Sequence, residues 1–163
     1  MKAVQVAMVI GALYICLACP MSTSNEGGAP GEDEAVIWYV DERASPNGDG
    51  TSWATAFTHP QQAVNAAGPN EAVKVAEGMC GPWEGNEGYA VLDMKNEVEL
   101  YGGYYVVGGE FIERDPISHL TMLIGGGEMA GGLESKHVVL GASYSILDGF
   151  YIEGGVGVAE AES

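Results

Sequence analysis

The glycines decide what this chain can become. Twenty-five of its 163 residues are glycine, and many come together: Gly102-Gly103, Gly108-Gly109, Gly125-Gly126-Gly127, Gly131-Gly132 and Gly154-Gly155. Each glycine inside a helix costs about 1 kcal/mol relative to alanine. Long helices are therefore excluded, and short strands joined by tight turns are favoured. Four strand-like runs end in glycine: VKVAEG (73–78), VELYGG (98–103), TMLIGG (121–126) and FYIEGG (150–155). Their final glycines, at 78, 103, 126 and 155, are 25, 23 and 29 residues apart. HVVLGA (137–142) and SILDG (145–149) lie in the last interval. Recurrence at such an interval predicts a β-solenoid of about three to four coils. At period two, Val73, Val75, Val98, Leu100, Met122 and Ile124 take the inward positions.

The N-terminal half divides by composition. Residues 3–19, AVQVAMVIGALYICLAC, form an apolar run behind Lys2 and read as a secretory signal peptide covering 1–19. Leu17-Ala18-Cys19 resembles the end of a bacterial lipoprotein signal, with Cys16 where that pattern prefers leucine. Two readings stand: lipidation of Cys19, or ordinary cleavage nearby. Residues 20–34 are Ser-, Gly-, Pro- and acid-rich and read as a flexible acidic linker. The folded domain is expected over 35–163, opening on the strand AVIWYV. Thr58 and Gln61 match a capping box, Pro60 suits a first helical turn, and Gly68-Pro69 stops the helix. This short helix is expected to cap the first rung, with Trp53 packed beneath it.

Charge and cysteine usage narrow the function. Twenty-three acids against six Lys and Arg give a net charge of −17. Nucleic acid, which is gripped by clustered cations, is excluded as a partner. Contact with a membrane is expected only through the leader or a lipid anchor. Neutral sugars and divalent cations remain open. Cys80 has no partner in sequence and reads as a small turn residue.

The blocks IWYVDERASPNGDGTSWATAF, QQAVNAA, VKVAEG, VELYGGY, ERDP and LDGFYIEGG resemble, in order and spacing, the start of secreted bacterial parallel β-helix proteins of the pectin-lyase-like type. The resemblance covers roughly 35–155, and GDGTSW with LDG-x-x-I-x-x-G is its most specific part. It implies a right-handed parallel β-helix outside the cell, binding or acting on polysaccharide. Relatives of that type continue for more coils, and their catalytic residues lie in those coils. The chain therefore reads as truncated after Ser163, with further coils or self-association at its C-terminal edge, and no catalytic residue transfers.

The loop NGDGTSW offers Asn47 and Asp49, with Asp41, as calcium ligands, against a scaffold turn as the competing reading. No other cofactor is expected. Arg114, in ERDP, is the one tempting catalytic base; an Arg–Asp turn contact competes with it. Asp93, Glu97, Glu99, Asp148 and Glu153 are too scattered for a glycosidase pair. His59, His119 and His137 lack ligand spacing and read as surface or turn residues. Tyr101, Tyr104, Tyr105, Phe150 and Tyr151 offer an aromatic platform for sugar, or core packing. The leading expectation is a secreted or lipid-anchored surface protein with a structural or carbohydrate-binding role, its partner a polysaccharide or envelope component. The alternatives are the N-terminal piece of a polysaccharide lyase or glycoside hydrolase, and a calcium-dependent adhesion module.

Overall fold

The structure is a computed structural model that describes residues 35–83, 89–127, 130 and 134–155. The expected signal peptide, Cys19, the acidic linker and the chain beyond residue 155 lie outside the described residues. Among the described residues the elements are ten strands and one short α-helix: β1 (Ile37–Val40), α1 (Pro60–Ala66), β2 (Ala72–Ala76), β3 (Gly78–Cys80), β4 (Ala90–Asp93), β5 (Glu99–Val107), β6 (Glu110–Arg114), β7 (Thr121–Ile124), β8 (His137–Leu140), β9 (Ile146–Asp148) and β10 (Phe150–Glu153). Among the described residues no helix is long and apolar enough to cross a membrane.

The strands assemble as three small sheets. The first runs β1-β2-β5-β6, with β9 also on β5; the second is β10-β7-β3; the third pairs β4 with β8. All pairings are parallel except β5–β6. This corrects the expected right-handed parallel β-helix. Of the four glycine-ended runs, β2 pairs with β5, but β7 pairs with β3 and β10. Sheet membership thus cuts across the glycine intervals. The interval from 103 to 126 also holds an antiparallel hairpin, which breaks any uniform unit. Val107 pairs with Glu110, leaving Gly108-Gly109 as a two-residue turn with φ of 60° and 83°. Positive φ at both turn positions is what such a hairpin needs, and two glycines adopt it without a Cβ penalty.

The core lies between the sheets and α1. Register aligns Trp38, Val73, Leu100 and Leu147 across four parallel strands. Val73 and Leu100 are wholly buried, as are Val98, Leu92 and Leu123. Of the six expected inward residues, Met122 departs: it is half-buried, and Thr121 and Leu123 are buried on either side of it. Thr121 can point inward because its hydroxyl is satisfied there. Its Oγ1 accepts from Gly103 N at 2.8 Å and donates to the Ala76 carbonyl at 3.1 Å.

Helix α1 buries Ala63 and Val64, with Ala67 at its C-cap, against this core. Its capping box sits one residue later than expected. His59 is the N-cap: its Nδ1 accepts from Gln61 N at 3.1 Å, while Gln62 Oε1 accepts from His59 N at 3.1 Å. Because Nδ1 accepts, Nε2 carries the proton that is donated to Gly81 O at 2.9 Å. Burial of the ring lowers its pKa and favours this neutral form. Gln61 then clamps strand β4, accepting from Asp93 N at 2.7 Å and donating to Asp93 O at 3.1 Å.

Candidate functional site

A groove of about 530 Å³ opens on the outer side of the first sheet. Its lining includes Asp41, Arg43, Trp53, Glu77, Tyr105 and the Gly108-Gly109 turn. Strand β1 delivers Asp41, and a tight turn follows: Arg43 N donates to Asp41 Oδ1 and Ala44 N to Asp41 O. That turn folds the Arg43 guanidinium back over the groove floor. Arg43 Nε donates to Asp41 Oδ1 at 3.0 Å; Nη1 reaches Glu77 Oε1 and Nη2 the Val106 carbonyl, both at 3.4 Å. The bond to Asp41 raises the Arg43 pKa further. The two longer contacts leave donor capacity on the Nη groups.

Glu77 follows β2 and serves a second cation. Its Oε2 lies 2.7 Å from His119 Nδ1, and Glu113 Oε1 lies 3.2 Å from His119 Nε2. A ring with a carboxylate on each nitrogen is best satisfied as imidazolium, and these two bonds raise the His119 pKa. The imidazole stacks flat on Tyr105, with centroids 4.5 Å apart and planes 6° apart. His119 thus braces Tyr105 by stacking while two carboxylates hold its ring, beyond the surface role read from its spacing.

Trp53, in a 3-10 turn over Trp53–Thr55, also lines the groove. It meets Tyr39 edge-on at 4.9 Å and Tyr104 at 5.5 Å. The expected position beneath the helix is taken instead by Phe57, which stacks on Trp38 at 6.0 Å. The NGDGTSW loop holds the Trp53 turn in place. Asp49 Oδ1 accepts from Thr51 N at 3.1 Å, Thr51 Oγ1 at 2.7 Å and Thr55 Oγ1 at 2.6 Å. These donors, Thr55 foremost, hold its carboxyl pKa down at about 2. Gly50 adopts φ 73°, and a Cβ there would lie 2.2 Å from the Phe57 ring. Of the calcium candidates, Asp49 Oδ1 is engaged by these donors, Asp41 Oδ1 by Arg43, and Asn47 is exposed with φ 74°. Among the described residues no group of three or more His, Cys, Asp or Glu side chains gathers as a metal site.

The remaining candidates are held elsewhere. Arg114 pairs with Asp148 at 3.0 Å and donates to Gly102 O at 2.9 Å, so the expected contact with its neighbour Asp115 is replaced by one across strands. Its guanidinium lies over Tyr101 and Tyr104, 5.5 Å from each ring. Asp115 instead accepts from Ile117 N and Ser118 Oγ. The five-residue aromatic platform is split: Tyr105 reaches the groove, Tyr104 is buried, Tyr101 bonds Glu99, Phe150 packs on the core and Tyr151 is exposed. Glu97 is an exposed turn residue with φ 62°. Burial pushes the Cys80 thiol up to about 12, which leaves it unreactive. Arg43, Glu77 and the Gly108-Gly109 turn are groove residues that sequence reasoning missed. Only the last carried a signal, a Gly-Gly pair between apolar runs. Set against protein-family models, curated proteins and solved structures, the chain matches none, so the pectin-lyase-like resemblance rests on the quoted residues alone.

Proposed function

We propose that the domain beginning at residue 35 is a carbohydrate-binding module, carried out of the cytoplasm by the leader over 1–19, and that it holds a glycan in the groove between Trp53 and Tyr105. The observation that carries this reading is the lining itself. Aromatic side chains stand beside a fixed set of donors and acceptors from Arg43, Asp41 and Glu77. A sugar ring offers apolar C–H faces to such aromatics and hydroxyls to such a network. Arg43, the one cation in the lining, is committed to ion pairs with Asp41 and Glu77, which suits recognition.

The test is calorimetric titration with hexamers of glucose, xylose and mannose. At least one is expected to bind, and Trp53→Ala to weaken it about 30-fold or more, the loss typical of an aromatic anchor. Ala54→Trp places bulk at an exposed lining position outside the core and is expected to block binding with the melting temperature little changed. Binding that survives both substitutions would place the sugar elsewhere.

A further inference from the structure

The ionic ledger of the groove points to the class of glycan, resting on the carbohydrate reading above. Two lining carboxylates, Asp41 and Glu77, flank Arg43, the one cation in the lining, while His119, outside the lining, lies between Glu77 and Glu113. The chain's other described bases are committed away from the groove or lie outside its lining. Arg114 is on Asp148, Lys95 is on the Ala67 carbonyl, Lys74 lies over Tyr104, and Lys136 is not among the lining residues. We infer that the groove selects an uncharged glycan and rejects uronate chains.

The physical reason is repulsion without compensation. A carboxylate entering the groove meets Asp41 and Glu77, and the one cation in the lining is shared between them. The side chain of Asp41 is only 11% exposed and that of Glu77 26%, so solvent screens them incompletely. The net charge of −17 adds a long-range field of the same sign. A neutral sugar avoids both penalties. Its hydroxyls can donate to Asp41 and Glu77 and accept from the Nη groups of Arg43. The carboxylates thus both recognise hydroxyls and exclude acids, and specificity needs such a repulsive element.

The experiment compares the neutral hexamers with a galacturonate hexamer at low salt, using the intact protein. The best neutral hexamer is expected to bind at least about tenfold more tightly than the galacturonate. Glu77→Gln and Asp41→Asn each remove one carboxylate and keep its size. Each is expected to shrink that preference about tenfold, relative to its own neutral-sugar affinity. Equal or tighter binding of galacturonate by the unmodified protein would overturn the inference and leave the carbohydrate reading standing. A preference unchanged in both folded variants would also overturn it. Failure of every hexamer to bind would remove the carbohydrate reading, and this inference with it.

Discussion

Replacing Leu100 with alanine is expected to cost about 2–5 kcal/mol of folding stability, a large part of what a domain of this size holds. Leu100 is wholly buried in the middle of the Trp38–Val73–Leu100–Leu147 ladder. Truncation removes its transfer free energy and leaves a cavity bounded by strands on both sides. Those strands are held by parallel hydrogen bonds to their neighbours, so they cannot collapse freely into the space. Urea unfolding is the measurement: the midpoint should fall while the slope is retained. A loss below about 1 kcal/mol would show that the ladder is not the centre of the core.

Thr121→Val is expected to cost about 1–3 kcal/mol although valine has nearly the same shape. The hydroxyl joins two sheets, since β7 belongs to one while Gly103 and Ala76 belong to strands or turns of the other. Valine would leave the Gly103 N–H and the Ala76 carbonyl without this partner at a buried position. That asymmetry, rather than the mean worth of a hydrogen bond, sets the cost. Amide exchange provides a local check: the Gly103 amide should exchange faster in the variant. Unchanged stability and unchanged protection at Gly103 would mean that the hydroxyl does not join the sheets.

How far the sequence could be read depended on the range of the forces involved. The strand runs around Val73, Leu100 and Ile152, and the helix opened by Pro60, were legible because alternation, turn residues and capping act within a few positions. Pairing was not legible. Gly-ended runs look alike, yet TMLIGG lies against Gly78–Cys80, a segment whose three residues show no strand pattern of their own. Buried threonine at 121 hid the register further, because a polar residue reads as outward until its partners are known. The same limit applied to the groove. Trp53 and Asp41 drew notice through their local motif, but Arg43 meets Glu77 across 34 residues and Glu77 meets His119 across 42. No local spacing announces an ion network assembled by strand pairing. The one local clue was Gly108-Gly109, legible as a tight turn but not as the groove residue that strand pairing makes it.

The central claim is that a sugar sits between Trp53 and Tyr105, and the three tryptophan indoles report on it separately. Trp38 Nε1 donates to Glu71 at 2.7 Å, Trp83 stacks on His59, and Trp53 lines the groove. A proton–nitrogen correlation spectrum recorded during titration with the best-binding neutral hexamer measures all three together. The account predicts shifts at the Trp53 indole and at the amides of residues 105–109, with the Trp38 and Trp83 indoles unmoved. Shifts centred on Trp38 or Trp83, with the Trp53 signal unchanged at saturation, would contradict it.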